Sequence, residues 1–369
     1  MAGLYIHIPF CKSRCIYCGF YSTVGLELRQ RYVDAVCREM ELRSTVPGSS
    51  AAGNIDTIYL GGGTPSQLTD YQLRQLFLYI HKVYAPSPTE VTIEVNPDDV
   101  SVEYATLLAQ LPVNRVSMGA QTFSDSRLRF LHRRHTSQQV VQAVNILRGA
   151  GIGNISIDLM YGFPSETLSE WEKDIDAALA LNVEHLSAYC LMIEEGTALH
   201  RMGMEGADEE TERSMYELLI NKLTASGYEH YEISNFAKPG YRSRHNSSYW
   251  REVPYIGLGA AAHSFDLRSR QWNVSDIRQY IEAIEQGQIP SEQETIDEDT
   301  RYNDRITVAL RTREGLDLDS LTENHRRYCL REAQRFIDDG LLRFSDNHLT
   351  LTRKGLFVSD YIMSSLIFV

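Results

Sequence analysis

Phe10-Cys-Lys-Ser-Arg-Cys-Ile-Tyr-Cys-Gly-Phe20 places Cys11, Cys15 and Cys18 within eight residues, in the pattern C-x3-C-x2-C. A loop this short can set its thiolates on one face of a cubic iron–sulfur cluster, which is ordinarily held by cysteine. Three protein thiolates leave one iron of a [4Fe–4S] cluster without a protein ligand, and an open metal position is where a substrate or cosubstrate can coordinate. Zinc is the competing reading, but a structural zinc ion takes four ligands, commonly as paired C-x2-C units. The remaining cysteines, Cys37, Cys190 and Cys329, stand singly. A third reading is three unrelated buried thiols. The spacing predicts an open-sited cluster on Cys11, Cys15 and Cys18.

Outward from this loop, short apolar runs alternate with helical patterns. Tyr5–Ile8, Ile55–Leu60, Val91–Val95, Arg115–Met118, Ile155–Met160 and His185–Tyr189 read as buried strands. Leu28–Leu42, Tyr71–Val83, Val102–Ala109, Ser137–Gly149 and Thr167–Leu181 carry helical spacing, several with Ser or Thr near the start. This alternation predicts an α/β fold of parallel strands with helical crossovers, although periodicity does not decide whether the sheet curls. Polar residues cluster within or just after these strands: Gly61-Gly-Gly-Thr-Pro65, Glu94, Gln121, Asp158 and Cys190. In barrels built from such units the site lies at the C-terminal strand ends. A carboxylate inside a buried strand is costly unless paired or ligand-bound, so Glu94 and Asp158 are either interior ion pairs or site residues.

The 369 residues carry a formal net charge of −13, which disfavours non-specific nucleic-acid binding. Six cysteines form no dense disulfide framework, and reduced thiols able to hold a cluster predict a cytoplasmic location. No run approaches the roughly 20 apolar residues of a membrane span, and the start at a strand is read as leaving no room for a signal peptide. The apolar end, Leu366-Ile-Phe-Val369, is expected to pack on the protein.

Tyr5-Ile-His-Ile-Pro-Phe10 leads directly into the cysteine loop, and Tyr17 precedes Cys18. These residues resemble the radical S-adenosylmethionine (SAM) superfamily, whose loop is C-x3-C-x-aromatic-C. The resemblance implies a partial (β/α)6 barrel. It also implies a cluster whose open iron is chelated by the amino and carboxylate groups of SAM and which donates one electron to cleave it, chemistry the cofactor performs while the protein orients it. It further implies SAM contacts at Tyr5, Tyr17, Gly62, Gly63, Thr64, Glu94, Gln121, Arg133 and Asp158, with the backbone of Cys190 near adenine and His263 near the pocket. Arg134 adjoins Arg133 and competes for that role.

Within the superfamily, His7-Ile-Pro-Phe-Cys11, the GGGTP run, Gly119-Ala-Gln121, Asp158-Leu-Met-Tyr-Gly-Phe-Pro164 and Gly257-Leu-Gly-Ala-Ala-Ala-His263 resemble the oxygen-independent coproporphyrinogen III oxidase group over essentially the whole chain. The true oxidases have a further cysteine where this chain has Phe20, and a longer N-terminal arm. Arg244-His-Asn-Ser-Ser-Tyr-Trp250 matches the H-N-x-x-Y-W block of a haem-chaperone branch of the group. That resemblance implies haem as cargo, with His245 as first candidate for iron and His263 as second. Tyr249 and Trp250 offer flat apolar surface, and Arg242 and Arg244 can pair with carboxylates such as haem propionates. The alternative is a structural loop in which His245 is hydrogen-bonded and Trp250 packed. The partners implied are haem and acceptor haemoproteins of respiratory type, with no nucleic acid and with peripheral membrane contact left open. Oxidative decarboxylation of coproporphyrinogen is the alternative function.

Three regions are expected: a barrel with the cluster and SAM sites over 1–235, a connecting segment with the H-N-x-x-Y-W block over 236–298, and a smaller, mainly helical C-terminal domain over 299–369. The last ends in a winged-helix-like hairpin turning at Asp346-Asn347. Its arginines are interspersed with acids, so a lid or docking surface is expected there rather than a DNA reader.

Overall fold

Side chains on the first strand divide by parity. In the computed structural model, which describes residues 2–44 and 55–369, β1 (Ala2–Ile8) turns Leu4, Ile6 and Ile8 into the main apolar core. Tyr5 and His7 face the other way, toward Tyr59 and Tyr21. The same alternation runs through β2 (Ile55–Gly62), β3 (Glu90–Val95), β4 (Arg115–Gln121), β5 (Asn154–Tyr161) and β6 (His185–Cys190). Ile58, Leu60, Val91, Ile93, Val116, Met118, Ile155, Ile157 and Leu186 pack outward in the core. Burying each such side chain contributes about 1.5–3 kcal/mol. The inward set is polar, including Thr57, Tyr59, Thr92, Glu94, Arg115, Ser117, Asp158 and His185.

β1 to β6 are parallel and adjacent in chain order. The crossovers are α1 (Arg29–Ser44), α2 (Asp70–Tyr84), α3 (Val102–Gln110), α4 (Asp125–Phe130) with α5 (Ser137–Gly149), and α6 (Leu168–Ala180). Capping boxes start α2 (Thr69 with Gln72), α5 (Thr136 with Gln139) and α6 (Thr167 with Glu170), satisfying amide groups a free helix end would orphan.

Beyond β6 lie α7 (Ala198–Arg201), α8 (Glu209–Ala225), and the antiparallel pair β7 (Glu229–Glu232) and β8 (Asn235–Ala237). The stretch 236–298, read as a connection, extends the sheet instead. After α9 (Arg244–Trp250), β9 (Tyr255–Leu258) pairs parallel with β1 on its free side. Next come β10 (His263–Phe265), β11 (Ser269–Asn273), α10 (Ile277–Glu285) and β12 (Ser291–Thr295), whose strands add antiparallel. The order is β12-β11-β10-β9-β1-β2-β3-β4-β5-β6-β8-β7. These added strands span only three to five residues, too few for a period of two to stand out.

The remaining residues build a separate core from α11 (Glu298–Ala309), α12 (Glu323–Asp338) and a small sheet of β13 (Leu316–Asp317), β14 (Leu342–Ser345) and β15 (His348–Leu351). Asp346 and Asn347 turn the hairpin at φ 50° and 64°, the left-handed values such tight turns need. Leu366 is buried in this core. The module also touches the large sheet. Ile233 N donates to Arg311 O (3.1 Å) and Arg313 N to Tyr231 O (3.0 Å), alongside β7. Among the described residues no helix is long and apolar enough to cross a membrane.

Candidate cluster and cofactor site

The cysteine loop leaves β1 at its C-terminal end and is tied down on both sides. Cys11 N donates to Thr23 O (2.9 Å), and Thr23 N to Pro9 O (2.7 Å). Ile16 anchors the middle, buried in a small apolar cluster with Leu131, Met160, Phe163, Leu191 and Leu199, while its carbonyl accepts from Leu199 N (2.9 Å). Cys11, Cys15 and Cys18 are half-buried and unbridged. The GGGTP run lies against the stem of this loop. A Cβ at Gly63 would fall 2.7 Å from Pro9 C, and one at Gly62, whose φ is +110°, would strike the His7 ring. Side-chain-free backbone is what lets β2 approach this closely.

Thr64 Oγ1 lies 3.4 Å from Cys11 Sγ, and Asn96 Nδ2 donates to the same hydroxyl. Arg133 Nη1 reaches Cys15 Sγ at 3.7 Å, while Nη2 donates to Asn96 Oδ1 (2.9 Å) and Gly119 O. Arg134 turns away to Asp98 and Asp99, so of the two neighbours Arg133 stands at the loop. Tyr17 packs beside Cys15, and burial raises its phenol pKa. Gln121 adopts φ 69° at the end of β4, its amide folded over Gly119. Cys190 is different: its Sγ abuts Gly162 on the helix side of the sheet, and burial pushes its thiol up to about 12. Only its backbone can face the strand ends.

Below the loop the interior is a polar network. Tyr59 donates to Glu94 Oε1 (2.7 Å) and Gly62 N to Oε2 (3.1 Å), while Tyr5 Oη pairs with His7 Nδ1 (2.9 Å). Burial raises Glu94 to about 7 and Asp158 to about 6, against the opposing pull of Arg115 and, for Asp158, hydrogen bonds from Ser187 and Ser117. Arg115 is 1% exposed, and its Nε and Nη1 have no hydrogen-bond partner among the described residues. Tyr59, His7, Asn96 and Arg115 were missed by motif reading. The inward positions of each strand, taken at a period of two, would have found all but Asn96.

A raised carboxyl pKa has a definite sign. Between about pH 4.5 and pH 7 the unfolded chain releases the Glu94 proton while the folded protein keeps it, so this contribution to stability falls as pH rises. Wild type should therefore lose stability relative to Glu94→Gln over that range, by on the order of 2 kcal/mol in paired urea titrations. Parallel curves for the two proteins would refute this. His7 and His245, lowered by burial to about 4 and about 3, titrate with the opposite sign in both proteins and cancel in the difference.

The H-N-x-x-Y-W block lies at the other end of the barrel. Ser243 caps α9, and Glu90 accepts from Arg244 N and His245 N, each at 2.9 Å. His245 is 1% exposed and stacks on Tyr59. Its Nδ1 pairs with Thr57 Oγ1 (2.8 Å) and its Nε2 with Tyr249 Oη (2.9 Å), so as folded neither nitrogen is open to iron. Tyr249 meets Tyr255 edge-on and Trp250 meets Tyr231 edge-on, so these rings close the barrel rather than form an open shelf. His263 is exposed. It sits across β9 from Tyr5 with only Gly257 between them, stacks on Trp272 at 6.1 Å and makes no side-chain hydrogen bond among the described residues.

Comparison with known proteins places this geometry. Residues 5–178 match the radical SAM superfamily and residues 296–358 the HemN C-terminal domain. The chain is 33% identical over its full length to "Heme chaperone HemW" of Bacillus subtilis, covering 99% of that protein. This chain belongs to the HemW family. It is also 32% identical to the Mycobacterium tuberculosis HemW, over 99% of this chain and 94% of that one, and 35% identical to the Escherichia coli HemW over 71% and 69%. In architecture it matches the Escherichia coli coproporphyrinogen III oxidase HemN, described as a radical SAM enzyme. The TM-score is 0.85 at 22% identity, covering 99% of this chain and 90% of that one, and the likeness is one of fold.

Superfamily membership implies a [4Fe–4S] cluster and SAM, and the residues present fit both. Three half-buried thiols spread along one loop suit a polynuclear cluster taking one thiolate per iron, with Arg133 and Thr64 beside them. Among the described residues no three His, Cys, Asp or Glu side chains converge on a single-ion position.

Proposed function

We propose that this protein is a haem chaperone that holds a [4Fe–4S] cluster on Cys11, Cys15 and Cys18, binds SAM across the strand ends, and delivers haem to acceptor haemoproteins in the cytoplasm. The full-length likeness to proteins named heme chaperone carries the reading. The cluster, when bound, supplies an open iron for the amino and carboxylate groups of SAM and a source of one electron. Around it Arg133 offers a planar fork to a carboxylate, and Thr64 with the side-chain-free backbone of Gly62 and Gly63 borders the amino end. Glu94, Asp158, Gln121 and Tyr5 present polar atoms to the sugar and sulfonium end, with Tyr17 and the Cys190 backbone at the adenine.

For haem, His263 is the better ligand on geometry. Partial desolvation and Arg270 lower its pKa even though the ring is exposed, favouring the neutral imidazole that binds iron, and Trp272 supplies a flat neighbour. Phe20, 72% exposed, stands where the oxidases carry a further cysteine. Titrating haem should give a Soret shift that weakens at least about fivefold in His263→Ala but persists in folded His245→Ala. Protoporphyrinogen formation from coproporphyrinogen III, with SAM and a reductant, would overturn the chaperone reading in favour of the oxidase.

A further inference from the structure

A cavity of about 310 Å³ opens at the N-terminal end of the barrel strands, the end away from the cysteine loop. The starts of β1 and β2 form one wall, and α9 with the chain that follows forms the other. Arg244, Ser247, Ser248 and Arg251 line it at a spacing of three, four and seven, the face of α9 turned away from His245 and Tyr249. The block that plugs the barrel therefore presents a second face, next to Gly3 and Thr57, which also touch His245.

Of the three arginines that line it, two have no side-chain partner among the described residues. Arg242 is held by Glu229 (2.9 Å) and Glu314 (2.7 Å). Arg244 and Arg251 make no side-chain hydrogen bond or ion pair among the described residues, although Arg251 acts through space on Glu314. One acid, Asp56, lines the cavity and accepts from Thr89 Oγ1 at 3.2 Å. In a chain of net charge −13, two unpaired guanidinium groups at one hollow do not follow from composition. Ala2, Gly3 and Val253 give the hollow an apolar floor. Its volume falls at the lower end of small-ligand sites, about 300–1,000 Å³, which mix an apolar lining with a few placed polar groups.

We infer that this cavity is a carboxylate-binding site, in which Arg244 and Arg251 grip the anion and the Gly3–Val253 floor packs its carbon skeleton. Two guanidinium forks suit planar carboxylates, and the small volume admits a di- or tricarboxylate or the propionate arms at one edge of a tetrapyrrole. The site does not depend on the haem reading, because a free carboxylate would occupy it without haem.

The test is calorimetric titration of the full chain with citrate, haem and haem dimethyl ester, in wild type and in the double variant Arg244→Ala/Arg251→Ala. Both side chains are exposed and make no hydrogen bond or ion pair among the described residues, so the variant should melt as wild type does. Citrate binding that weakens at least about tenfold in the variant assigns a free carboxylate. A tenfold loss for haem but not for its ester, without citrate binding, assigns propionate arms. Equal affinities of the two proteins for all three probes, or no binding of any, overturns the site. A haem loss confined to His263→Ala tests the chaperone reading separately.

Discussion

Anaerobically reconstituted Cys15→Ala protein is expected to hold less than about a tenth of the iron and sulfide of wild type, with its visible charge-transfer absorption gone. Removing Cys15 leaves two thiolates for a cluster that already lacks a protein ligand at one iron, and no fourth cysteine of the loop can substitute. The effect should be confined to the cluster. The loop is held by Ile16 in its own apolar cluster and by the Thr23 and Leu199 backbone bonds, none of which involves Cys15 Sγ. Circular dichroism and melting should thus be close to wild type. Cys190→Ala, whose sulfur faces the helices, should retain its iron. A full complement of cluster in Cys15→Ala would disprove the three-thiolate assignment.

His245→Ala is expected to act on the fold. The ring fills the closed end of the barrel against Tyr59 and Gly3 and satisfies Thr57 and Tyr249. Truncation leaves a cavity and strands the buried Thr57 hydroxyl and the half-buried Tyr249 hydroxyl, a buried one costing about 1–3 kcal/mol, for a total loss of about 3–5 kcal/mol. Urea unfolding measures this directly, and His245→Gln, which keeps polar atoms at the ring position, should recover part of it. A loss below about 1 kcal/mol would mean the ring does not hold the barrel end together.

The cysteine loop and the parallel strands were legible because each is written locally: three thiols in eight residues, and apolar runs long enough to show a period. Thr64, Glu94 and Asp158 stood out as candidates because a glycine run and buried acids are conspicuous in a strand. Arg115 did not, because at the start of β4 it reads as a strand boundary, although it shares the inward parity of Ser117. His245 illustrates the converse. The block Arg244–Trp250 is conspicuous and chemically suggestive, yet which face of α9 meets the barrel depends on Glu90, some 155 residues earlier. No local pattern carries that contact. The strands after α9 were missed for a third reason, since they are short and borrow their order from β1.

The two free edges of the large sheet end differently. β12 runs Ser-Glu-Gln-Glu-Thr, mostly exposed and with Glu292 and Glu294 along it, whereas β7 is flanked by the backbone of Arg311–Arg313 from the C-terminal module. An uncovered strand invites a second chain to add by backbone pairing, the first step of ordered aggregation. Here one border sets polar and charged side chains, Glu292 and the Arg270-paired Glu294, in the way of such a newcomer, and the other is already taken. The C-terminal module thus occupies backbone groups of β7 that would otherwise stand unpaired at the sheet's border, whatever is bound at the far end of the barrel.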